Sequence, residues 1–368
     1  MKINFILPAI GLGGGTRIVV EYANHLIERG HEVSVIYPFV LSSQLLTYKI
    51  NPNRFRVKTL AYNIIKSLRF LSKPKIIENA DLYGLNAELI EVPTLDEKYM
   101  PNADVIVATW WETTLYVSKY SENKGKKFYL IQGYEIWGGP KKLVQETYKL
   151  NLKKIVVAKW LYKKLLDLKV SESEMKYIHN AISFKKFKIT NDIENRPKRV
   201  VMQFNENIFK GMPDGIKALK LAKEQVPDLE AVLFGIHPRP KHLPGWINYI
   251  QNPSQEELVK KIYNGSSIYM CPSWTEGWGL PGAEAMACGC ALVSTNNGGV
   301  NDYAIDKKTA LLSPPKNPHL LAKNLLSLLI NEEYKLKLAN NGYNSIKKFN
   351  WEKSTNELEN FFKNYESG

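Results

Sequence analysis

Trp274-Thr275-Glu276-Gly277-Trp278-Gly279-Leu280-Pro281-Gly282-Ala283-Glu284-Ala285-Met286-Ala287-Cys288-Gly289 lies between two short apolar runs, residues 267–271 before it and 291–294 after it. Such runs, bounded by glycine and proline, read as buried strands; between them come a glycine-rich loop and a helix from Leu280. Pro281 suits the first helical turn, where its missing N–H would have no intrahelical partner. Strand, loop, helix and strand make a parallel crossover unit, which places the chain in the α/β class.

Outward from this stretch the same alternation continues. Towards the N-terminus the sequence predicts strands at 199–204, 230–234 and near Ile247, with helices from Asp214 and from Ser254. Towards the C-terminus it predicts helices over 318–330, 332–349 and 351–365. The beginning of the chain repeats the pattern. A strand at Met1-Lys2-Ile3-Asn4-Phe5-Ile6-Leu7-Pro8 runs into Gly11-Leu12-Gly13-Gly14-Gly15-Thr16. Val19, Tyr22, Ala23, Leu26 and Ile27 then mark one helix face, Gly30 stops that helix, and Val33, Val35 and Ile36 return to a strand. Further strands are expected at 104–108, 127–131, 154–158 and 175–178. The polar segment Asn191-Asp192-Ile193-Glu194-Asn195-Arg196-Pro197-Lys198 interrupts the pattern, and a hinge is expected there. At 368 residues the length itself favours two domains. The expected division is 1–190, 191–350 and a C-terminal helix over 351–368.

Hydrophobic residues make up 44% and charged residues 23%, enough apolar material for sizeable cores and no case for disorder. The three cysteines, Cys271, Cys288 and Cys290, are odd in number and form no C-x-x-C pair. Free thiols, a reducing compartment and no structural metal are expected. The first apolar run is too short for a signal peptide and no run is long enough to cross a bilayer, so a cytoplasmic location is expected. The net charge of +14 attracts polyanions. It concentrates in 41–75, where Lys49, Arg54, Arg56, Lys58, Lys66, Arg69, Lys73 and Lys75 occur without an acid. Two readings of this stretch stand side by side: a contact with an anionic membrane surface at its inner face, and a solvated basic face. Nucleic acid ranks below both, because no recognition motif accompanies the charge.

The start of the Leu280 helix presents free N–H groups and the positive end of its dipole, and Gly277 and Gly279 allow close approach: a receptor for phosphate. Glu276 and Glu284 flank that tip with seven residues between them, and carboxylates suit sugar hydroxyls, which donate to charged oxygens. Lys210-Gly211 follows the strand at 199–204, at the edge where a lysine neutralises charge on a departing diphosphate. The loop at Gly11 to Thr16 does not complete G-x-G-x-x-G, and no acid ends the second strand, which disfavours a nicotinamide enzyme. Gln132, Tyr134 and Glu135 follow the 127–131 strand. Trp110 and Trp111 also lie just past a strand, placed either for stacking on sugar faces or for core packing.

The Glu276-to-Glu284 spacing resembles the E-x7-E signature of retaining glycosyltransferases with the GT-B fold, glycosyltransferase family 4 in particular. Ala287-Cys288-Gly289, the strand at 291–294, Gly298-Gly299 and Thr309-Ala310-Leu311-Leu312 fall in that family's order. The resemblance covers nearly the whole chain and is most specific in the C-terminal half. It implies two Rossmann-like domains whose parallel sheets face each other across a cleft, with the C-terminal helix returning to the N-terminal, acceptor-binding domain. It puts Glu276 beside the transferred sugar, Glu284 on the ribose, Gly277, Trp278, Gly279 and Leu280 on the donor, and Lys210 on the diphosphate. Gly13, Gly14 and Gly15 would lie by the phosphates and acceptor, the alternative being a tight strand-to-helix turn.

Two departures from the family pattern occur. Asn205 occupies the place of a family arginine, so Arg199 or another cation substitutes, or leaving-group stabilisation is weaker. Gln132 falls where many family members have a histidine; a neutral amide can hold a sugar hydroxyl but cannot shuttle a proton, so a histidine-based role does not transfer. The run from Gln132 to Glu135 is similar to that of bacterial surface-polysaccharide transferases, rhamnosyltransferases among them. The implied reaction retains anomeric configuration, uses the leaving diphosphate as proton acceptor and employs the nucleotide-diphosphate sugar as co-substrate, with no other cofactor. The acceptor would be a glycan or lipid-linked glycan. Without an Asp-x-Asp pair, no catalytic metal is expected. The rival readings are a non-catalytic, transferase-like sugar-binding or partner subunit, and a GT-B enzyme of other chemistry, such as an epimerase or phosphorylase.

Overall fold

The computed structural model describes residues 1–11, 13–39, 41, 73–77 and 82–364. Apart from Leu41 and residues 73–75, the basic stretch 41–75 therefore lies outside the described residues. The chain forms two units, Met1–Ile178 together with the segment from Trp351, and His179–Asn350.

In the first unit β1 (Lys2–Ile6), β2 (Glu32–Pro38), β3 (Lys75–Ile76), β4 (Glu88–Val92), β5 (Val105–Ala108), β6 (Lys126–Ile131), β7 (Lys153–Val156) and β8 (Met175–Tyr177) build an eight-stranded sheet in the order β3-β4-β2-β1-β5-β6-β7-β8. The pairings are parallel except for β3 with β4. Sequence patterning missed β4, whose apolar residues are broken by Glu88 and Glu91. In the sheet those acids accept hydrogen bonds from the hydroxyls of Ser34 and Tyr37. The C-terminal helix, Trp351–Lys363, belongs to this unit. Trp351 meets Tyr22 edge-on at 4.9 Å, and Phe362 meets Phe128 at 4.7 Å.

The second unit holds β9 (Arg199–Gln203), β10 (Glu230–Gly235), β11 (Ile247–Gln251), β12 (Ile268–Cys271), β13 (Ala291–Thr295) and β14 (Leu311–Ser313), all parallel, in the order β11-β10-β9-β12-β13-β14. Val200, Met202, Ile268, Met270, Ala291 and Val293 send alternate side chains into one buried cluster. The chain enters this unit at His179, ahead of the polar segment at 191–198. Arg196 ties that segment down, donating to the carbonyls of Asn191, Ser266 and Cys288 and to Asn264 Oδ1.

Sheet order locates the crevices. In the second unit consecutive strands run outward from β9 on one side and from β12 on the other, so the loops leaving their C-terminal ends diverge to opposite faces. Lys210 follows β9 and Glu276 follows β12. The first unit reverses between β1 and β5, where Gly13 to Gly15 follow β1 and Trp110 follows β5.

Candidate functional site

Lys210 ends a 3-10 turn, Ile208–Lys210, which Asn207 caps by accepting the Phe209 N–H at 3.0 Å. Gly211 then takes a left-handed φ of 61°, and a Cβ there would stand 2.1 Å from the Pro272 carbonyl oxygen. Glycine alone fits, and this close approach brings the post-β9 turn against the post-β12 loop. Lys210 Nζ consequently reaches both oxygens of Glu276, at 2.8 and 2.9 Å, while Ser273 Oγ donates to Glu276 Oε1 at 2.6 Å. Burial by itself lowers the Lys210 pKa, but the Glu276 carboxylate outweighs it and leaves the ammonium above its ordinary value. The Glu276 N–H donates to the Asn297 carbonyl at 3.0 Å, which fixes the loop beside the end of β13.

The helix Leu280–Ala287 starts from Gly279 at φ 92°, ψ 52°, a conformation that suits glycine. The Gly279 carbonyl accepts from Gly282 N, Ala283 N and the Tyr303 hydroxyl, the last at 2.9 Å. Pro281 has no N–H, so among the described residues the first-turn amide left without an acceptor is that of Leu280. A pocket adjoins this tip; Lys210, Glu276, Ser273, Gly279 and Gly282 are among its lining residues. Sequence reasoning missed Ser273, though its place three residues before Glu276 in the same loop was the available signal.

Three side chains expected on the donor are engaged within the protein. Trp278 is 2% exposed, its indole packed against Tyr303 and Phe349 at 4.8 and 5.5 Å. Glu284 is also 2% exposed and accepts from the Tyr263 hydroxyl at 3.3 Å. Asn205 spends its Oδ1 on the Asn207 N–H at 2.9 Å. Arg199 does not substitute for the missing arginine. It lies at the start of β9, the opposite end from Lys210, and pairs with Glu230 at 2.6 Å and the Gly265 carbonyl at 3.0 Å.

At the corresponding edge of the first unit, Gly13 precedes the helix Gly14–Ile27, whose first turn has no side-chain cap and no acid. Gln132 Nε2 donates to the Gly15 carbonyl at 3.2 Å. Trp110 lies 5.0 Å from Trp137, which is 60% exposed. A Cβ on Gly138 would fall 2.2 Å from the Trp110 ring, so the turn after β6 is shaped around that indole. The Tyr134 hydroxyl accepts from Gln145 at 2.7 Å. Glu135, unassigned at the sequence level, is 3% exposed and accepts from the Trp111 N–H at 2.7 Å and the Tyr129 hydroxyl at 2.6 Å. Burial pushes its carboxyl up to about 8, against the downward pull of those two donors.

Among the described residues no group of three or more His, Cys, Asp or Glu side chains is placed to hold a metal ion, and no helix is long and apolar enough to cross a membrane.

Residues 185–345 match the family model described as glycosyl transferases group 1. An uncharacterised glycosyltransferase of Methanocaldococcus jannaschii is 39% identical over 95 residues, 26% of this chain and 27% of the relative. The O-antigen chain mannosyltransferase B of Escherichia coli is 29% identical over 119 residues, 32% of this chain and 30% of the relative. The chain thus spans less than a third of the length of either curated relative. Among solved structures, the Anabaena protein HepE in complex with UDP-glucose aligns with a TM-score of 0.72 at 12% identity, covering 99% of this chain and 100% of that one. The fold is GT-B.

Proposed function

We propose that the chain is a retaining, metal-independent glycosyltransferase of the surface-polysaccharide type, moving a hexosyl or deoxyhexosyl group from a nucleotide-diphosphate sugar to a glycan or lipid-linked glycan. The observation that carries this reading is the pocket in which Lys210, Glu276 and the Gly279 helix tip meet. A tip amide and an ammonium stabilise charge on a departing diphosphate, and a carboxylate holds sugar hydroxyls. The work of the site is positioning and electrostatic stabilisation of an oxocarbenium-like state, with the departing phosphate oxygen taking the acceptor's proton. The family match of 185–345 and the likeness to a UDP-glucose complex support this choice of donor class. Gly13, Gly14, Gly15, Gln132, Tyr134 and Trp110 are proposed to bind the acceptor. The basic stretch 41–75 is proposed to meet anionic lipid at the cytoplasmic face.

The test is donor hydrolysis and transfer by purified wild type and Glu276→Ala across a panel of nucleotide sugars, with the product's anomeric configuration read by NMR. Retention, with turnover lost in the variant, is the expected result. A wild type that neither binds nor cleaves any donor sinks the reading. A second reading, a binding subunit without catalysis, is favoured by one observation: Lys210 and Glu276 neutralise each other while Asn205 brings no charge. Donor binding without turnover would select it.

A further inference from the structure

The alternation of a strand puts residues 201 and 203 of β9 on the face opposite Val200 and Met202, which point into the buried cluster. Register pairs Tyr269 with Val201, so Tyr269 and Cys271 share that face, and Gln203 stands with them at the C-terminal end of β9. There Gln203 lines the same pocket as Lys210, Ser273 and Glu276. Four of its polar neighbours, Lys210, Ser273, Glu276 and Cys271, are engaged within the protein. Lys210 and Ser273 donate to Glu276, and Cys271 Sγ lies 3.6 Å from Asn297 Nδ2. Among the described residues no group hydrogen-bonds to the Gln203 carboxamide.

We propose that Gln203 is a specificity-determining residue whose carboxamide holds a hydroxyl of the transferred sugar; this rests on the nucleotide-sugar reading given above. An amide both donates and accepts, as a sugar hydroxyl does, whereas a phosphate oxygen only accepts and is better served by charged donors. Lys210 in the pocket already supplies a charged donor, and the Leu280 amide at the adjoining helix tip a second donor at the positive end of the helix dipole. The carboxamide therefore adds recognition of the sugar and leaves the diphosphate to them. A site built to hydrogen-bond a hydroxyl rejects ligands that lack one there, because the amide then loses its partner on desolvation.

The test compares a nucleoside diphosphate with its sugar conjugate by isothermal titration: UDP with UDP-glucose, and GDP with GDP-mannose. Gln203→Met is the informative change, since it keeps the side-chain length and removes hydrogen bonding; Gln203→Glu would add a charge beside Glu276 and confound the comparison. For Gln203→Met the expected result is unchanged affinity for the nucleoside diphosphate and an about tenfold loss of the extra affinity the sugar confers, the worth of one good hydrogen bond. Gln203→Asn, which draws the same carboxamide back by one methylene, is expected to show the same selective loss, and it decides the matter if the methionine variant fails to fold by circular dichroism. Equal weakening of diphosphate and conjugate, or no change in either, overturns the assignment of Gln203 while leaving the donor reading in place. A wild type that binds neither member of either pair, and no member of the wider nucleotide-sugar panel, overturns both.

Discussion

Glu276 is the partner of the Lys210 ammonium and, in the proposed function, the competitor of the diphosphate for it. With both carboxylate oxygens within 2.9 Å of Nζ, the ammonium is held by its own protein, and under the proposed function a diphosphate has to compete with Glu276 for it. Glu276→Gln keeps the shape and removes the competitor. We predict that this variant binds UDP or GDP more tightly than wild type, by about three- to tenfold, since a partly exposed ion pair is worth roughly 1 kcal/mol. Its transfer rate should nevertheless fall by about a hundredfold or more, because the carboxylate proposed to stabilise the reacting sugar is gone. Titration calorimetry and a donor-turnover assay on the same preparation read the two opposite effects. Gly211 supports a second prediction. Alanine there is strained by the left-handed φ and meets the Pro272 carbonyl, so Gly211→Ala should cost roughly 1–3 kcal/mol of stability. Thermal melting checks this, and an unchanged midpoint would count against it.

Among the secondary-structure elements, the turn after β6 is held by a carboxyl that favours its neutral form. Burial raises Glu135 to about 8, whereas in an unfolded chain it titrates near the ordinary value of about 4.3. As pH rises, the unfolded state therefore releases this proton first. The stabilisation is whole below the unfolded value and is lost as pH climbs through about 8. Wild type should melt at progressively lower temperature across that window, and Glu135→Gln, which keeps an acceptor for the Trp111 N–H and Tyr129 hydroxyl, should flatten the dependence. Parallel slopes for the two proteins would show that Glu135 is not the titrating group.

Chain order and spatial order part company at the C-terminus, whose helix is part of the first unit although it follows the second in sequence. Trp351 is 5% exposed against Tyr22, so Trp351→Ala should destabilise this unit by about 3–5 kcal/mol, the usual cost of emptying a buried tryptophan site. Hydrogen exchange should report the loss in the helix Gly14–Ile27, against which Trp351–Lys363 packs. Protection unchanged in that helix would refute the coupling.

The α/β class, most strands of both sheets and the loop positions of Lys210 and Glu276 at the ends of β9 and β12 were legible along the chain, because apolar period, glycine placement and motif spacing are local properties. Legibility fell where neighbours distant in sequence decide a residue's role. The glutamates of β4 hid a strand that pairing stabilises, and Arg199 looked available until its strand end placed it beside Glu230. Trp278 and Glu284 belong to the glycine-rich motif yet are buried, and the open carboxamide of Gln203 emerged only once strand alternation had assigned it a face. Burial and direction are set by packing between segments far apart in the chain, and no spacing along one segment encodes them.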